Sequence, residues 1–260
     1  MKELVGKSAI IAGGGRGIGR ACAEVLAENG ADVFIGSRTT TEVAAAVADI
    51  SSTGGSAHGF ALDVTKSASV DSFVERVIES IGKIDILVYA AGTSIRGRLV
   101  QLDEKDWMRI LDVNLNGAYR VCRAVGKHML ERQAGSVVTI TSMTSHIAFP
   151  SVVAYTVSKG GLLQLTKALA VEWASENIRV NAVSPGFIAT DLNRKVLDGP
   201  NFRKAIHEKT PQHRYGEVRE IAESVAFLAS PRATFVTGVA LPVDGGFLAG
   251  HPQIRPGEMD

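Results

Sequence analysis

Short apolar runs alternate along the chain with longer segments in which apolar residues recur at helical spacing. Most of the short runs lack polar alternation, which is typical of strands that are covered on both faces. We predict seven strands, at residues 8–12, 32–36, 57–62, 84–90, 136–141, 178–183 and 239–243. Helices are predicted between them, among others at 17–29, 69–81, 104–132 and 155–175.

This alternation predicts βαβ units, and hence an α/β fold with a doubly wound, seven-stranded parallel sheet and helices on both faces. The sequence contains no linker, repeat or low-complexity segment, so residues 1–260 are predicted to form a single domain. Residues 187–214 are predicted to be a variable lid over a substrate site. The tail at about 250–260 departs from the pattern, and we expect it to be either loose or docked on a neighbouring subunit.

At 45% hydrophobic and 21% charged residues, the chain has the composition of a globular protein with a large core. Its formal net charge of +1 gives no electrostatic reason to expect a nucleic acid or an anionic membrane as partner. The two cysteines are far apart and the six histidines show no ligand spacing, so we predict neither a disulfide framework nor a metal site. No run has the length of a membrane span or of a signal-peptide core, and we therefore expect a cytoplasmic protein.

A glycine-rich turn, AGGGRGIG at 12–19, separates the first predicted strand from the first predicted helix. Gly13, Gly17 and Gly19 would permit a tight turn, close approach of the backbone to a pyrophosphate, and close packing of the helix on the sheet. The helix N-terminus would then offer N–H groups and a partial positive charge to the phosphates. The strand before and the helix after favour dinucleotide binding, and a purely structural turn is the alternative.

Three polar side chains, Ser142, Tyr155 and Lys159, lie near one another in otherwise apolar sequence. A tyrosine has a pKa of roughly 10 and is a poor acid–base catalyst at neutral pH, but a lysine one helical turn away can stabilise its phenolate. Tyr155 could then move a proton on or off a substrate oxygen that Ser142 holds in place. The alternatives are a half-exposed Tyr–Lys pair without a role and a serine that serves only a turn.

Taken in order, these motifs resemble the short-chain dehydrogenase/reductase family over nearly the whole chain. The glycine spacing Gly-x-x-x-Gly-x-Gly is similar to the family's fingerprint, and Ser142, Tyr155, Lys159 and Asn114 (in DVNLNGAY) match its four catalytic positions. Three further segments, LDVT with Asp63, NAVSPGFIAT and VTGVALPVDGG, match its adenine, nicotinamide and last-strand motifs. Asn114 as a helix-bending polar group and Asp63 as a helix-entry residue are the alternatives.

The resemblance implies a single-domain Rossmann fold and a nicotinamide-dependent oxidoreductase that interconverts a secondary alcohol and a ketone. It implies that Lys159 also binds the nicotinamide ribose and that Asn114 helps to hold a water that continues the proton relay. A cofactor-binding regulator without chemistry is the other class of function, but it would not need the Ser-Tyr-Lys-Asn set. The residues expected to bind the cofactor are Gly13, Gly15, Arg16, Gly17, Ile18, Gly19, Arg38, Asp63, Val64, Ala90, Ala91, Gly92, Tyr155, Lys159, Pro185, Gly186, Ile188 and Thr190.

Two segments depart from the family's usual sequence. Ala12 stands where the family usually has threonine, and Tyr89-Ala90-Ala91-Gly92 replaces Asn-Asn-Ala-Gly. The usual polar side chains brace the central strand and the turn that follows it. We therefore expect this part of the chain to be less rigid.

The second predicted strand ends at Gly36-Ser37-Arg38, where an acid on the ribose hydroxyls would favour NAD. No acid is present there, whereas Arg38 could pair with a 2′-phosphate with assistance from Arg16. The sequence therefore favours NADP(H), with NAD(H) as the alternative. The two arginines could also be solvated surface charges that do not bind the cofactor.

The substrate is expected to lie between the loop at 92–99, GTSIRGRL, and the lid at 187–214, with Ser142, Tyr155 and Arg96 in contact with it. The lid holds six Lys/Arg against three Asp/Glu, which would suit a carboxylated or phosphorylated substrate, and Arg194 is a second candidate for the carboxylate. SMTS, KTPQHRYGE and DGGFL resemble gluconate 5-dehydrogenases and related sugar-acid dehydrogenases. A 3-oxoacyl-[acyl-carrier-protein] reductase and a polyol or sugar dehydrogenase are the alternatives.

The resemblance also implies a homotetramer in which the helices at 104–132 and 155–175 pair with their symmetry mates. The second of these helices contains more apolar residues than one sheet face needs. We expect the surplus to contribute to a subunit interface; the residues are Leu162, Leu163, Leu165, Leu169 and Trp173.

Overall fold

A seven-stranded, all-parallel sheet runs through the described part of the computed structural model, which comprises residues 2–190, 197 and 199–250. The strands are β1 (Ser8–Ala12), β2 (Asp32–Ser37), β3 (Ser56–Ala61), β4 (Ile86–Tyr89), β5 (Gly135–Ile140), β6 (Ile178–Pro185) and β7 (Ala240–Val243). Their spatial order is β3-β2-β1-β4-β5-β6-β7, which confirms the predicted doubly wound sheet. The order reverses between β1 and β4, where Ala12 lies beside Tyr89, and such a switch point leaves a crevice at the carboxyl ends of the strands.

Helices cover both faces of this sheet, as predicted. They are α1 (Gly17–Glu28), α2 (Thr40–Ser52), α3 (Ser67–Ile81), α4 (Glu104–Leu111), α5 (Gly117–Arg132), α6 (Val153–Trp173), α7 (Pro200–Lys209) and α8 (Val218–Ala229). The helix predicted at 104–132 is continuous, but a π-helical turn, Asp112–Asn116, separates α4 from α5. That turn contains Asn114, one of the predicted catalytic residues.

Two apolar cores lie on the two faces of the sheet. The first contains Ile11 from β1, Val25 from α1 and Val225 from α8, and the second contains Leu87 from β4 and Val125 from α5. Burying an aliphatic side chain of this kind stabilises the fold by roughly 1.5–3 kcal/mol. Because strands β1, β4, β5 and β6 are buried on both faces, their sequences lack polar alternation, and for this reason the pattern predicted them well.

The apolar residues of α6 correct one expectation. Leu162, Leu163 and Trp173 are buried within this chain, so they are not a surplus available to a neighbouring subunit. The Trp173 indole lies so close to α5 that a Cβ at Gly126 would approach it to 2.7 Å. Leu165 and Leu169 are partly buried against the same core. The large apolar side chains that are exposed on α4, α5 and α6 are instead Met108, Tyr119, Val157 and Val171.

The predicted lid lies partly within the described residues. Phe187 to Thr190 leave the end of β6, and α7 follows at Pro200–Lys209. Residues 191–196, with Arg194, residue 198 and the tail at 251–260 lie outside the described residues. Within the described ranges, no helix is both long and apolar enough to cross a membrane.

Candidate active site

The glycine turn after β1 depends on residues without side chains. Gly13 has φ +89° and its N–H donates to the Gly36 carbonyl at 2.7 Å, while a Cβ at Gly13 would come 2.5 Å from the Ala91 nitrogen. A Cβ at Gly19 would overlap the Gly13 carbonyl oxygen. The turn and the first part of α1 can therefore pack against the segment after β4 only with glycine at these two positions.

The N-terminus of α1 follows this turn directly. Arg16 is its N-cap and its side chain makes no capping hydrogen bond, so the first-turn N–H groups remain available as donors. Gly17 has φ +55°, and a Cβ there would meet nothing closer than 4.0 Å. Free N–H groups and the positive end of the helix dipole form an anion site, which fits the pyrophosphate of a dinucleotide.

A cleft with a cavity volume of about 300 Å³ runs from this turn to Tyr155. Seventeen of the eighteen residues predicted to bind the cofactor line it, together with Ser142. The exception is Gly15, in the same turn, where a Cβ would be 3.2 Å from the Cβ of Glu42. Asn114 and Arg96 are not among the lining residues.

Ser142, Tyr155 and Lys159 meet at the deep end of the cleft. Ser142 follows β5 in an extended conformation, accepts a hydrogen bond from the Thr144 N–H at 3.1 Å, and its side chain interacts with that of Tyr155. Tyr155 and Lys159 are one turn apart on α6, and the Lys159 Nζ lies 5.7 Å from the centre of the Tyr155 ring. The structure thus brings together a hydroxyl, a phenol and an ammonium group.

Asn114 is fully buried beside this group and ties three segments together. Its Oδ1 accepts from the Thr93 N–H at 2.8 Å, and its Nδ2 donates to the Thr93 carbonyl at 2.9 Å and to the Ser158 Oγ at 2.9 Å. Ser158 in turn donates to the Tyr155 carbonyl at 2.7 Å. Asn114 therefore connects the loop after β4 with the helix that carries Tyr155 and Lys159.

Comparison with known proteins agrees with this geometry. A family profile described as enoyl-(acyl carrier protein) reductase matches residues 12–248. The 3-oxoacyl-[acyl-carrier-protein] reductase of Escherichia coli (strain K12) is 39% identical over 241 residues, which cover 93% of this chain and 97% of that protein. The chain belongs to the short-chain dehydrogenase/reductase family. It is an oxidoreductase of that family. This argues against the alternative prediction of a cofactor-binding regulator without chemistry.

Members of this family that resemble the chain differ in substrate. The D-threitol dehydrogenase of Mycolicibacterium smegmatis is 37% identical over 245 residues, which cover 94% of each chain. The crystal structure of a gluconate 5-dehydrogenase from Burkholderia cenocepacia, in complex with NADP and tartrate, has a TM-score of 0.92 at 36% identity and covers 96% of this chain and 98% of that one. The family is therefore settled, and its similar members include acyl-carrier-protein, sugar-acid and polyol enzymes.

Burial shapes the electrostatics of the dehydrogenase/reductase site. Burial raises the pKa of Tyr155, and the hydrogen bond with Ser142 opposes that shift. Burial lowers the pKa of Lys159 to about 8, and its ammonium group donates to the Ile140 carbonyl at 2.7 Å. The desolvated charge of Lys159 lies on the face of α6 that carries Tyr155, where it favours the phenolate.

The end of the cleft next to β2 and β3 holds Arg38 and Asp63. Burial raises the pKa of the Asp63 carboxyl, but hydrogen bonds from Thr65 and the charge of Arg38 hold it below its ordinary value. Arg16 forms an ion pair with Glu42 at 3.6 Å. Among the described residues no carboxylate lies within ion-pair distance of Arg38, so Arg38 is the more available cation for a phosphate.

Arg96 lies in the exposed loop at 92–99, outside the lining of the cleft. The next residue, Gly97, donates to the Ser151 carbonyl at 3.0 Å, which ties this loop to the segment before α6. Ser151 has φ +65°, an uncommon conformation for a residue with a side chain. The loop is thus fixed close to the helix that carries Tyr155, although the guanidinium itself is solvent-exposed.

Sequence reasoning missed several residues of the site. Thr93 and Ser158 hold Asn114, and their only signal was position, since they directly follow Gly92 and precede Lys159. Four half-buried phenylalanines also escaped notice, with ring centres 5.6 to 6.0 Å apart in the neighbouring pairs. We call them the phenylalanine cluster: Phe149, Phe187, Phe202 and Phe247. They come from four distant segments, so no local pattern could have grouped them.

Proposed function

We propose that the protein is an NADP-preferring dehydrogenase/reductase that interconverts a secondary alcohol and a ketone in a sugar acid such as gluconate or 5-ketogluconate. The observation that carries the reaction type is the Ser142–Tyr155–Lys159 group at the end of a cleft that begins at the N-terminus of α1. Other residues, Arg38 and Arg96, support the proposed cofactor and substrate classes.

In the proposed mechanism Tyr155 gives a proton to, or takes one from, the substrate oxygen. Ser142, whose side chain interacts with that of Tyr155, holds that oxygen and shares the charge that develops on it. Lys159 favours the phenolate of Tyr155 and binds the ribose, while Asn114 continues the proton path from Lys159. A bound nicotinamide supplies or accepts the hydride.

The preference for NADP rests on Arg38. This exposed side chain lines the cleft just after β2, where Ser37 stands in place of an acid. A guanidinium recognises a phosphate through charge-assisted, often bidentate hydrogen bonds. NAD would lose this contact, and the similar gluconate 5-dehydrogenase of known structure was crystallised with NADP.

The sugar-acid proposal rests on the arginine of the loop at 92–99 and on the relatives. Arg96 lies in a loop that is tethered to the segment before α6, the helix that carries Tyr155 and Lys159. An arginine there would bind a substrate carboxylate, and the gluconate 5-dehydrogenase structure contains tartrate, a dicarboxylate. Ser142 and Tyr155 complete the proposed substrate contacts.

One observation favours a second candidate, a 3-oxoacyl-[acyl-carrier-protein] reductase. The phenylalanine cluster joins the segment before α6, the end of β6, α7 and the segment after β7. A half-exposed aromatic surface that includes two residues of the lid would suit an acyl chain better than a sugar. The 39% identical protein of Escherichia coli is named as a reductase of this kind. The similar D-threitol dehydrogenase supports a neutral polyol as a third candidate substrate.

The experiment is a substrate panel assayed with NAD(H) and NADP(H) in both directions. It contains gluconate, 5-ketogluconate, sorbitol, threitol and an acetoacetyl thioester. Turnover of the sugar acids with NADP(H) supports the proposal, whereas reduction of the thioester alone would replace it with the second candidate. Turnover of the polyols alone would support the third.

We also propose a cytoplasmic homotetramer. The exposed apolar side chains on α4, α5 and α6, which include Met108, Tyr119, Val157 and Val171, would be covered if these helices paired with a second copy. Light scattering coupled to size-exclusion chromatography measures the mass directly. A monomeric mass at micromolar concentration would contradict this part of the proposal.

A further inference from the structure

Tyr89, the last residue of β4, stands where the family usually has an asparagine that braces the strand. The tyrosine also makes a polar contact. Its side chain is fully buried, and its hydroxyl donates to the Val113 carbonyl. Burial raises the pKa of Tyr89 well above its ordinary value, so the hydroxyl retains the proton that it donates. One polar brace is therefore present at the end of β4, made by Tyr89 in place of the family's asparagine.

The opposite side of this contact is also adapted to the tyrosine. A Cβ at Gly117, the first residue of α5, would lie 2.5 Å from the Tyr89 hydroxyl oxygen. The helix can approach the hydroxyl only because residue 117 has no side chain. Tyr89 and Gly117 thus form a complementary pair at the end of the central strand.

Val113 lies in the π-helical turn Asp112–Asn116, so the hydrogen bond from Tyr89 acts on that turn. A π turn replaces i→i+4 hydrogen bonds by wider i→i+5 bonds, so its carbonyls are less well held than those of a regular helix. A donor from outside the helix therefore stabilises the local geometry. Asn114 is the next residue in the same turn, and its amide must meet Thr93 and Ser158 at once.

We propose that Tyr89 is a positioning residue: its hydroxyl fixes the π-helical turn at Val113 and thereby orients the Asn114 amide. The catalytic consequence rests on the proposed function, in which Asn114 continues the proton path. The structural part does not, because the bonds of Asn114 to Thr93 and Ser158 exist without substrate or cofactor. A tyrosine that only filled the core would need its ring and not its hydroxyl.

The test uses Tyr89→Phe, which keeps the ring, and Ser136→Ala as matched control. Ser136 is buried in β5 and its hydroxyl also donates to a backbone carbonyl, that of Leu228 at 3.3 Å, but at the amino end of the sheet. The first readout is hydrogen exchange of the Thr93 amide in the apo-protein, since this amide donates to the Asn114 Oδ1. We expect exchange to accelerate roughly three- to tenfold in Tyr89→Phe, the weight of one hydrogen bond, and to stay unchanged in Ser136→Ala.

The second readout is a double-mutant cycle on kcat with Asn114→Ala. If Tyr89 acts through Asn114, Tyr89→Phe lowers kcat in the otherwise unchanged enzyme and has no further effect in the Asn114→Ala background. Unchanged exchange of Thr93, or an equal loss of kcat in both backgrounds, would overturn the proposal. An Asn114→Ala enzyme with normal kcat would refute the role of Asn114 instead, and the exchange readout would still decide whether Tyr89 positions it.

Discussion

The ammonium group of Lys159 donates a hydrogen bond to the carbonyl oxygen of Ile140 at 2.7 Å, which ties the helix bearing Tyr155 to the end of β5. Lys159 is only 4% exposed, so this bond has to replace most of its hydration and does so incompletely. The lowered pKa of about 8 reflects this unfavourable balance. The charged form of Lys159 therefore lowers the stability of the folded protein. Its effect on the free energy of unfolding can be measured.

Replacing Lys159 by methionine is expected to change how stability depends on pH. The folded pKa of about 8 lies below the ordinary 10.5, so the unfolded chain binds more protons between these values and wild-type stability rises with pH across that window. Below pH 8 the cost is fully present, and it amounts to at most about 3 kcal/mol. The stability of wild type relative to Lys159→Met should therefore increase from pH 8 to 10.5.

Urea unfolding of the apo-protein at pH 7, 8.5 and 10 measures this slope, and Lys167→Met is the control. Lys167 is exposed on the same helix, so its replacement should give a nearly constant difference in free energy of unfolding. The lost bond to Ile140 shifts the Lys159→Met data by a constant, and only the slope tests the prediction. Parallel curves for both variants would show that Lys159 is not desolvated.

Turnover of Lys159→Met should fall together with cofactor affinity.

Tyr155→Phe removes the proton-transfer group and keeps the ring in place. We expect kcat to fall by ~10²–10⁴, the range typical of general acid–base catalysis, with cofactor affinity nearly unchanged. Steady-state kinetics and a titration of the quenched protein fluorescence with NADPH measure the two quantities. Tyr119→Phe, on an exposed tyrosine of α5, is the control and should leave both unchanged. Near-normal turnover of Tyr155→Phe would exclude this residue as the acid–base group.

Arg38→Asp replaces the proposed partner of the 2′-phosphate by a group that repels it. We expect kcat/KM for NADPH to fall by at least tenfold, which corresponds to about 1.4 kcal/mol, while the value for NADH stays level or rises. Arg76→Asp makes the same change of charge at an exposed position of α3, outside the helices proposed to pair with a second copy, and should not alter the ratio. A wild-type enzyme that already favours NADH would refute the cofactor proposal before any variant is made.

The fold was predictable because its signals are local. All seven strands lie within two residues of their predicted ends. For β1, β4, β5 and β6 the reason is that buried parallel strands are continuous apolar runs between turns. Gly13 and Gly19 were identified from one segment, and the structure shows the backbone contacts that exclude a side chain there. The Tyr155–Lys159 pair was equally accessible because one helical turn places both residues on one face.

The rest could not be predicted because it depends on contacts between distant segments. The bond between Tyr89 and Val113 requires a π-helical turn that the periodicity at 104–132 did not reveal. Leu162 and Trp173 seemed surplus because the sequence does not show that α5 also packs on α6. Substrate specificity has the same origin, since the loop at 92–99, the segment before α6 and the lid meet only in the folded chain.

The substrate proposal makes a prediction that a pair of neighbouring arginines can test. If Arg96 binds the carboxylate of a sugar acid, Arg96→Ala should reduce kcat/KM for gluconate more than for sorbitol, because only the acid loses a charge-assisted bond. The expected loss of discrimination is roughly ten- to a hundredfold, the weight of one hydrogen bond to a charged group. Arg98, two residues away and also exposed, provides the control through Arg98→Ala.

The ratio of kcat/KM for gluconate and sorbitol, measured with one cofactor at one ionic strength, separates the outcomes. A fall in that ratio for Arg96→Ala alone supports a specific contact. Equal falls for both variants would mean that the loop acts through its general charge, and these should shrink together as salt is added. No change in either ratio would remove the loop at 92–99 from the proposed carboxylate site. Activity confined to the acetoacetyl thioester, with no turnover of either sugar compound, would assign the phenylalanine cluster to an acyl chain instead.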